Sequence, residues 1–120
     1  MGKLVLLALV CLFQVLVVRG QCPTFVTRNV WGARSVGGIG VMPIRPVPLV
    51  IVHQTGTDFC SRQSQCSQIV RTLQAFHIEV NGWPDISFHF LIGEDNLIYT
   101  GRGWAQRGNL TSIKLDTLIT

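Results

Sequence analysis

Ile86-Ser87-Phe88-His89-Phe90-Leu91-Ile92-Gly93-Glu94-Asp95-Asn96-Leu97-Ile98-Tyr99 contains two apolar runs rich in β-branched and aromatic residues. The polar, acidic Glu94-Asp95-Asn96 divides them, and this pattern reads as a hairpin of two strands. Upstream, Ile69, Val70, Leu73, Phe76, His77 and Val80 recur at helical spacing. Ser61 or Ser64 is available as the cap of that helix and Gly82 as its stop. Further upstream still, Leu49-Val50-Ile51-Val52 is a continuous apolar run of the kind found in a strand buried on both faces. Pro43, Pro46 and Pro48 keep the approach to it extended. Gln21 to Gly40, with four glycines and two arginines, reads as irregular, with Trp31 as its large apolar anchor. The order strand, helix, strand, strand predicts an α/β fold with a mixed central β-sheet flanked by helices.

Working outward to the ends, Lys3 precedes an apolar run from Leu4 to Val18 that only Gln14 interrupts, and Arg19-Gly20 follows. This reads as a secretory signal peptide, because the run is shorter than the roughly 20 residues a membrane-spanning helix needs. The expected organisation is a signal peptide over 1–20, a domain over 21–108 and a divergent tail over 109–120. Cleavage after Gly20 releases an extracellular protein with no membrane attachment. Its eight basic and six acidic residues then leave a charge of only +2. No Lys/Arg run or basic stripe argues for a nucleic-acid partner.

Cys11 leaves with the signal, and in an oxidising compartment the remaining cysteines are expected in disulfides. Cys60 and Cys66 are the obvious pair, closing a short loop worth about 2 kcal/mol on a chain-entropy argument. Cys22 is left over, open to pairing with another chain.

Taken together in their order, Val50-Ile51-Val52-His53, then Cys60 and Cys66, then Gly82-Trp83-Pro84-Asp85-Ile86-Ser87-Phe88-His89-Phe90-Leu91-Ile92-Gly93, then Gly101-Arg102-Gly103-Trp104 resemble the first half of a peptidoglycan recognition protein. The resemblance covers about residues 22 to 108 and implies the peptidoglycan recognition/amidase-like fold, with its C-terminal part missing. It also implies a groove for bacterial peptidoglycan or a muropeptide stem, a role in innate immunity and, in the complete family site, zinc. A catalytic zinc needs about three protein ligands and an open position for water. His53 matches the first ligand of the family set, and neither His77 nor His89 matches another, so no cofactor is expected. The family's amidases carry a tyrosine where this chain has Phe88. Losing one such donor typically lowers kcat by about 10²–10³.

The resemblance places Thr55, His77, Asn81, Gly82, Trp83 and Phe88 along the ligand groove, with Gln54 where many members have a second histidine. Gly82-Trp83 is the pair that goes, in this family, with stem peptides containing meso-diaminopimelate. Read from the residues alone, Gly82 is also an ordinary helix stop, and Trp83 an ordinary core tryptophan. Trp31, Trp83, Tyr99 and Trp104 read as core before they read as a sugar-stacking set. Past Gly108 the family pattern lapses. Leu110 stands in place of a ligand-contacting histidine, and Asn109-Leu110-Thr111 forms a glycosylation sequon. The reading is therefore a secreted protein that binds peptidoglycan without hydrolysing it. The alternatives are a zinc-dependent N-acetylmuramoyl-L-alanine amidase and a truncated isoform that binds nothing.

Overall fold

The computed structural model describes residues 20–108, together with Gly2, Lys3 and Val5. The signal-peptide reading falls almost wholly outside these residues, and the sequon at Asn109 wholly outside them. Among the described residues, no helix is long and apolar enough to cross a membrane.

Five elements follow one another: β1 (Thr24–Val26), α1 (Arg28–Trp31), α2 (Gln63–Glu79), β2 (Phe90–Ile92) and β3 (Leu97–Thr100). They build a mixed three-stranded sheet in the order β1-β3-β2, with β1 parallel and β2 antiparallel to β3. The hairpin stands where the sequence places it. Its turn is fixed from within: Gly93 N–H donates to the Leu97 carbonyl at 2.9 Å, and Leu97 N–H donates to Asp95 Oδ1 at 3.2 Å. Asn96 takes φ 64°, a left-handed conformation that asparagine tolerates better than most residues. Tyr99 O–H donates to Asp95 Oδ2 at 2.6 Å. Burial, followed by that bond, pushes the phenol up to about 12.

The register puts Val26, Leu91 and Tyr99 on one face of the sheet, where they join Trp31, Val70, Ile86 and the Cys60–Cys66 pair in the core. Cys60 and Cys66 are disulfide-bonded, which ties the loop before α2 to its first turn. Cys22 is free and exposed.

Four expectations need correcting. The segment read as irregular contains both β1 and α1. Neither has a period of its own, and β3 and the core hold them in place. Leu49-Val50-Ile51-Val52 forms no strand: Val50 is 75 % and Val52 84 % exposed. A β-branched run prefers extended backbone, but a strand exists only against a ladder partner, and among the described residues this run has none. The strand expected from Ile86 begins only at Phe90, because the backbone before it serves side chains. The Ile86 carbonyl accepts from Arg102 Nε at 2.6 Å, and Ser87 N–H donates to His77.

The fourth correction concerns the helix. Its N-cap is Arg62, with no side-chain cap bond, rather than Ser61 or Ser64. Its buried face is Cys66, Ser67, Val70, Gln74 and His77, whereas Phe76 and Val80 are exposed. Polar Gln74 lies on the buried face because its partners are there, while Phe76 and Val80 fall outside that face. Its amide nitrogen donates to Asp85 Oδ1 at 2.8 Å, and its Oε1 accepts from Arg34 N–H at 2.7 Å.

Candidate functional site

The site forms where the C-terminal turn of α2, the loop that follows it and the loop after Val52 converge. Beyond the C-cap Val80 the chain reverses through Gly82, whose φ of 67° disfavours any side chain, and a Cβ there would meet only open space. Trp83 N–H then donates back to the His77 carbonyl at 2.9 Å. This reversal lays the Trp83 ring 4.9 Å from the His77 imidazole, with the planes tilted by 47°. Phe88 approaches the same imidazole at 5.7 Å, and His53 in turn lies 5.0 Å from Phe88. Four residues singled out in the sequence, His53, His77, Trp83 and Phe88, thus form one continuous cluster of rings.

The other three sit less centrally. Gln54 is exposed and places its carbonyl oxygen 3.0 Å from His53 Nδ1. Thr55 is exposed, with its hydroxyl 2.8 Å from that of Thr57. Asn81 is exposed at the end of the helix. Trp31 and Tyr99 are fully buried in the core, Trp104 is 75 % exposed, and only Trp83 of that aromatic set faces the cluster.

His77 is the most enclosed member, at 7 % exposure. Burial lowers its pKa from the ordinary 6.5; Arg102 adds to the effect and Asp85 opposes it. The unfolded chain therefore takes up this proton more readily than the folded one. Folded stability is full above about 6.5 and falls as pH drops from there towards the lowered folded value. Thermal melts at about pH 7.5 and about pH 5 are expected to show this loss in the wild type, and a smaller one in His77→Gln. Identical losses in both proteins would remove His77 as the cause.

The sequence reading missed the polar network behind this cluster. Asp85 is fully buried. Its Oδ2 lies 2.8 Å from Arg28 Nη1, at an angle that makes an ion pair without an aligned hydrogen bond, and its Oδ1 accepts from Gln74, Arg28 Nη2 and Ile86 N–H. Arg102, also buried, donates to the carbonyls of Ile86, Arg107 and Asp85. Burial draws its pKa down, Asp85 raises it and Arg28 lowers it. The sequence carried one signal, a carboxylate set between Pro84 and Ile86 in an otherwise apolar stretch. Gly101 belongs to the same frame, since a Cβ there would collide with the Phe88 carbonyl. An open cleft of about 240 Å3 lies among Gly38, Gly40, Pro84, Arg102 and Arg107 and includes none of the ring cluster.

For zinc, the described residues do not fit. His53 is exposed, and among the described residues no three His, Cys, Asp or Glu side chains gather as a metal would need.

Comparison with known proteins places this geometry. The model of the N-acetylmuramoyl-L-alanine amidase family matches residues 43–117. Peptidoglycan-recognition protein 2 of Holotrichia diomphalia is 34 % identical over 106 residues, covering 88 % of this chain and 56 % of the relative. Bumblebee PGRP-SA superposes with a TM-score of 0.70 at 37 % identity, over 74 % of this chain and 53 % of that one. Peptidoglycan recognition protein LE, solved in complex with tracheal cytotoxin, a monomeric diaminopimelic acid-type peptidoglycan, superposes with a TM-score of 0.68 at 34 % identity, over 71 % and 50 % of the two chains. The chain spans about half the length of these relatives. With the family pattern running through more than half of its residues and this fold beneath them, the chain belongs to the N-acetylmuramoyl-L-alanine amidase family and carries a peptidoglycan-recognition type of domain.

Proposed function

We propose that the chain is an extracellular innate-immunity protein that binds the muropeptide stem of bacterial peptidoglycan and does not cut it. The observation that carries this reading is the ring cluster of His53, His77, Trp83 and Phe88. Aromatic walls with a few polar ring nitrogens suit a ligand of mixed apolar and amide character. The complex formed by the LE relative supports the choice of ligand. Against hydrolysis stands the lack of a hydroxyl on Phe88, at the position where the resemblance sets the amidases' tyrosine.

Calorimetric titration of the chain with tracheal cytotoxin is expected to show binding. Trp83→Ala is expected to weaken it about tenfold, equivalent to about 1.4 kcal/mol. A silent titration would remove the binding role. Release of stem peptide in the presence of added zinc would overturn the non-hydrolytic half.

A second reading draws on the uncovered apolar surface. Val50, Val52, Phe59, Ile92 and Trp104 are all exposed, and the Cys22 thiol is free. Surface of this kind favours association with another chain over solitary function. Light scattering under reducing and non-reducing conditions distinguishes the two, since a monomer in both would dismiss association.

A further inference from the structure

His77 is held by a bond whose direction admits one answer. The Ser87 backbone N–H points at His77 Nδ1 across 3.1 Å in a buried setting. An amide N–H only donates, so Nδ1 must accept with its lone pair, and in the neutral ring the proton then sits on Nε2. Moving that proton to Nδ1 would set two N–H groups against each other with no water to separate them. The imidazolium form meets the same obstacle, and it also faces Arg102 across a desolvated interior in which Asp85 is already paired with Arg28. Ser87 is itself held firmly: it is 1 % exposed, and the neighbouring Ile86 carbonyl is bound by Arg102. Nε2 has no hydrogen-bond partner among the described residues. The rest of the ring is bracketed by Trp83 and Phe88, so the one unengaged polar atom of His77 belongs to the cluster.

We infer that the Ser87 amide is a positioning group that fixes His77 as the Nε2–H tautomer, so the cluster meets its ligand with a hydrogen-bond donor and selects an acceptor there. A peptide carbonyl or a carboxylate satisfies that donor, whereas an ammonium group is refused. The inference rests on the ligand-binding reading above and narrows it to the chemistry of one contact.

The test is nitrogen NMR of the chain with labelled histidines, first free and then titrated with tracheal cytotoxin. In the free protein, His77 is expected to show a bare Nδ1 and a protonated Nε2. On binding, the Nε2 proton is expected to shift and to exchange more slowly with water, while Nδ1 stays unchanged. A free protein with the proton on Nδ1, or with both tautomers populated, would overturn the positioning by Ser87. Binding that leaves the Nε2 proton unmoved would overturn the donor contact. Absence of any binding would sink the ligand reading, yet the free-protein spectrum would still decide the tautomer. Ser87→Pro removes the N–H, and in a folded variant the tautomers are expected to mix. Should that variant fail to fold, the wild-type spectrum decides alone.

Discussion

Asp85→Ala is expected to destabilise the protein by about 3–5 kcal/mol, a large share of the whole for a domain of this size. The carboxylate is fully buried and is the shared partner of Arg28, Gln74 and the Ile86 amide. Removing it leaves the Arg28 guanidinium without its ion pair, Ile86 N–H without an acceptor and one of the two Gln74 amide hydrogens unpaired, the other keeping the Arg34 carbonyl. It also removes the one nearby charge that favours the positive state of Arg102. Breaking one side of such a pair costs more than the pair contributes, because the Arg28 charge left behind is only partly in water, its side chain being 27 % exposed. Asp85→Asn separates the two effects. It keeps an Oδ1 acceptor for Ile86 and Gln74 but loses the charge and sets an amide NH2 against Arg28 Nη1, so its loss is expected to be smaller than that of the alanine variant, about 1–3 kcal/mol. Urea denaturation followed by circular dichroism measures both, and an unmoved midpoint in Asp85→Ala would show that the network holds nothing together.

The second large effect is expected at Trp31. Its side chain is completely enclosed, and its indole N–H donates to the Thr100 carbonyl at 2.9 Å. It sits in a helix of four residues that no intrinsic propensity would sustain, so the ring anchors α1 rather than the reverse. Trp31→Ala removes the ring and leaves a cavity where β1, α2 and β3 meet, with an expected loss of about 3–5 kcal/mol. Trp31→Phe keeps most of the volume and gives up the hydrogen bond, for an expected loss nearer 1 kcal/mol. Equal losses in the two variants would put the energy in the hydrogen bond instead of the packing.

The parts of the fold legible in the sequence are those that repeat. Helix α2 shows its period over 17 residues, and the β2–β3 hairpin, though its strands are short, is marked by the polar turn Glu94-Asp95-Asn96 between two apolar runs. The missed elements, β1 and α1, are as short as the hairpin strands and have no such turn between apolar runs to mark them. They exist through contacts with residues far along the chain, which leave no local trace. The opposite error, a strand expected at Leu49–Val52, came from a true preference with nothing among the described residues to pair against. At the site, the resemblance singles out His53, His77, Trp83 and Phe88, and the structure brings their rings together. Arg28, Gln74, Asp85 and Arg102 are scattered through the sequence without a motif, and only three-dimensional proximity makes them a unit.

The parallel pairing of β1 with β3 also sets a folding order. Arg28, just after β1, donates to the Gly101 carbonyl 73 positions later, so the ends of the described domain must meet before either is secure. Closing so long a loop is slow compared with winding α2 or zipping the hairpin. On a ribosome the N-terminal strand emerges first and docks last, waiting with Val26, buried in the finished core, uncovered until the chain past Thr100 has been made. For this sequence, the interval between synthesis and docking is when capture by a chaperone or by a neighbouring copy competes most strongly with the native sheet.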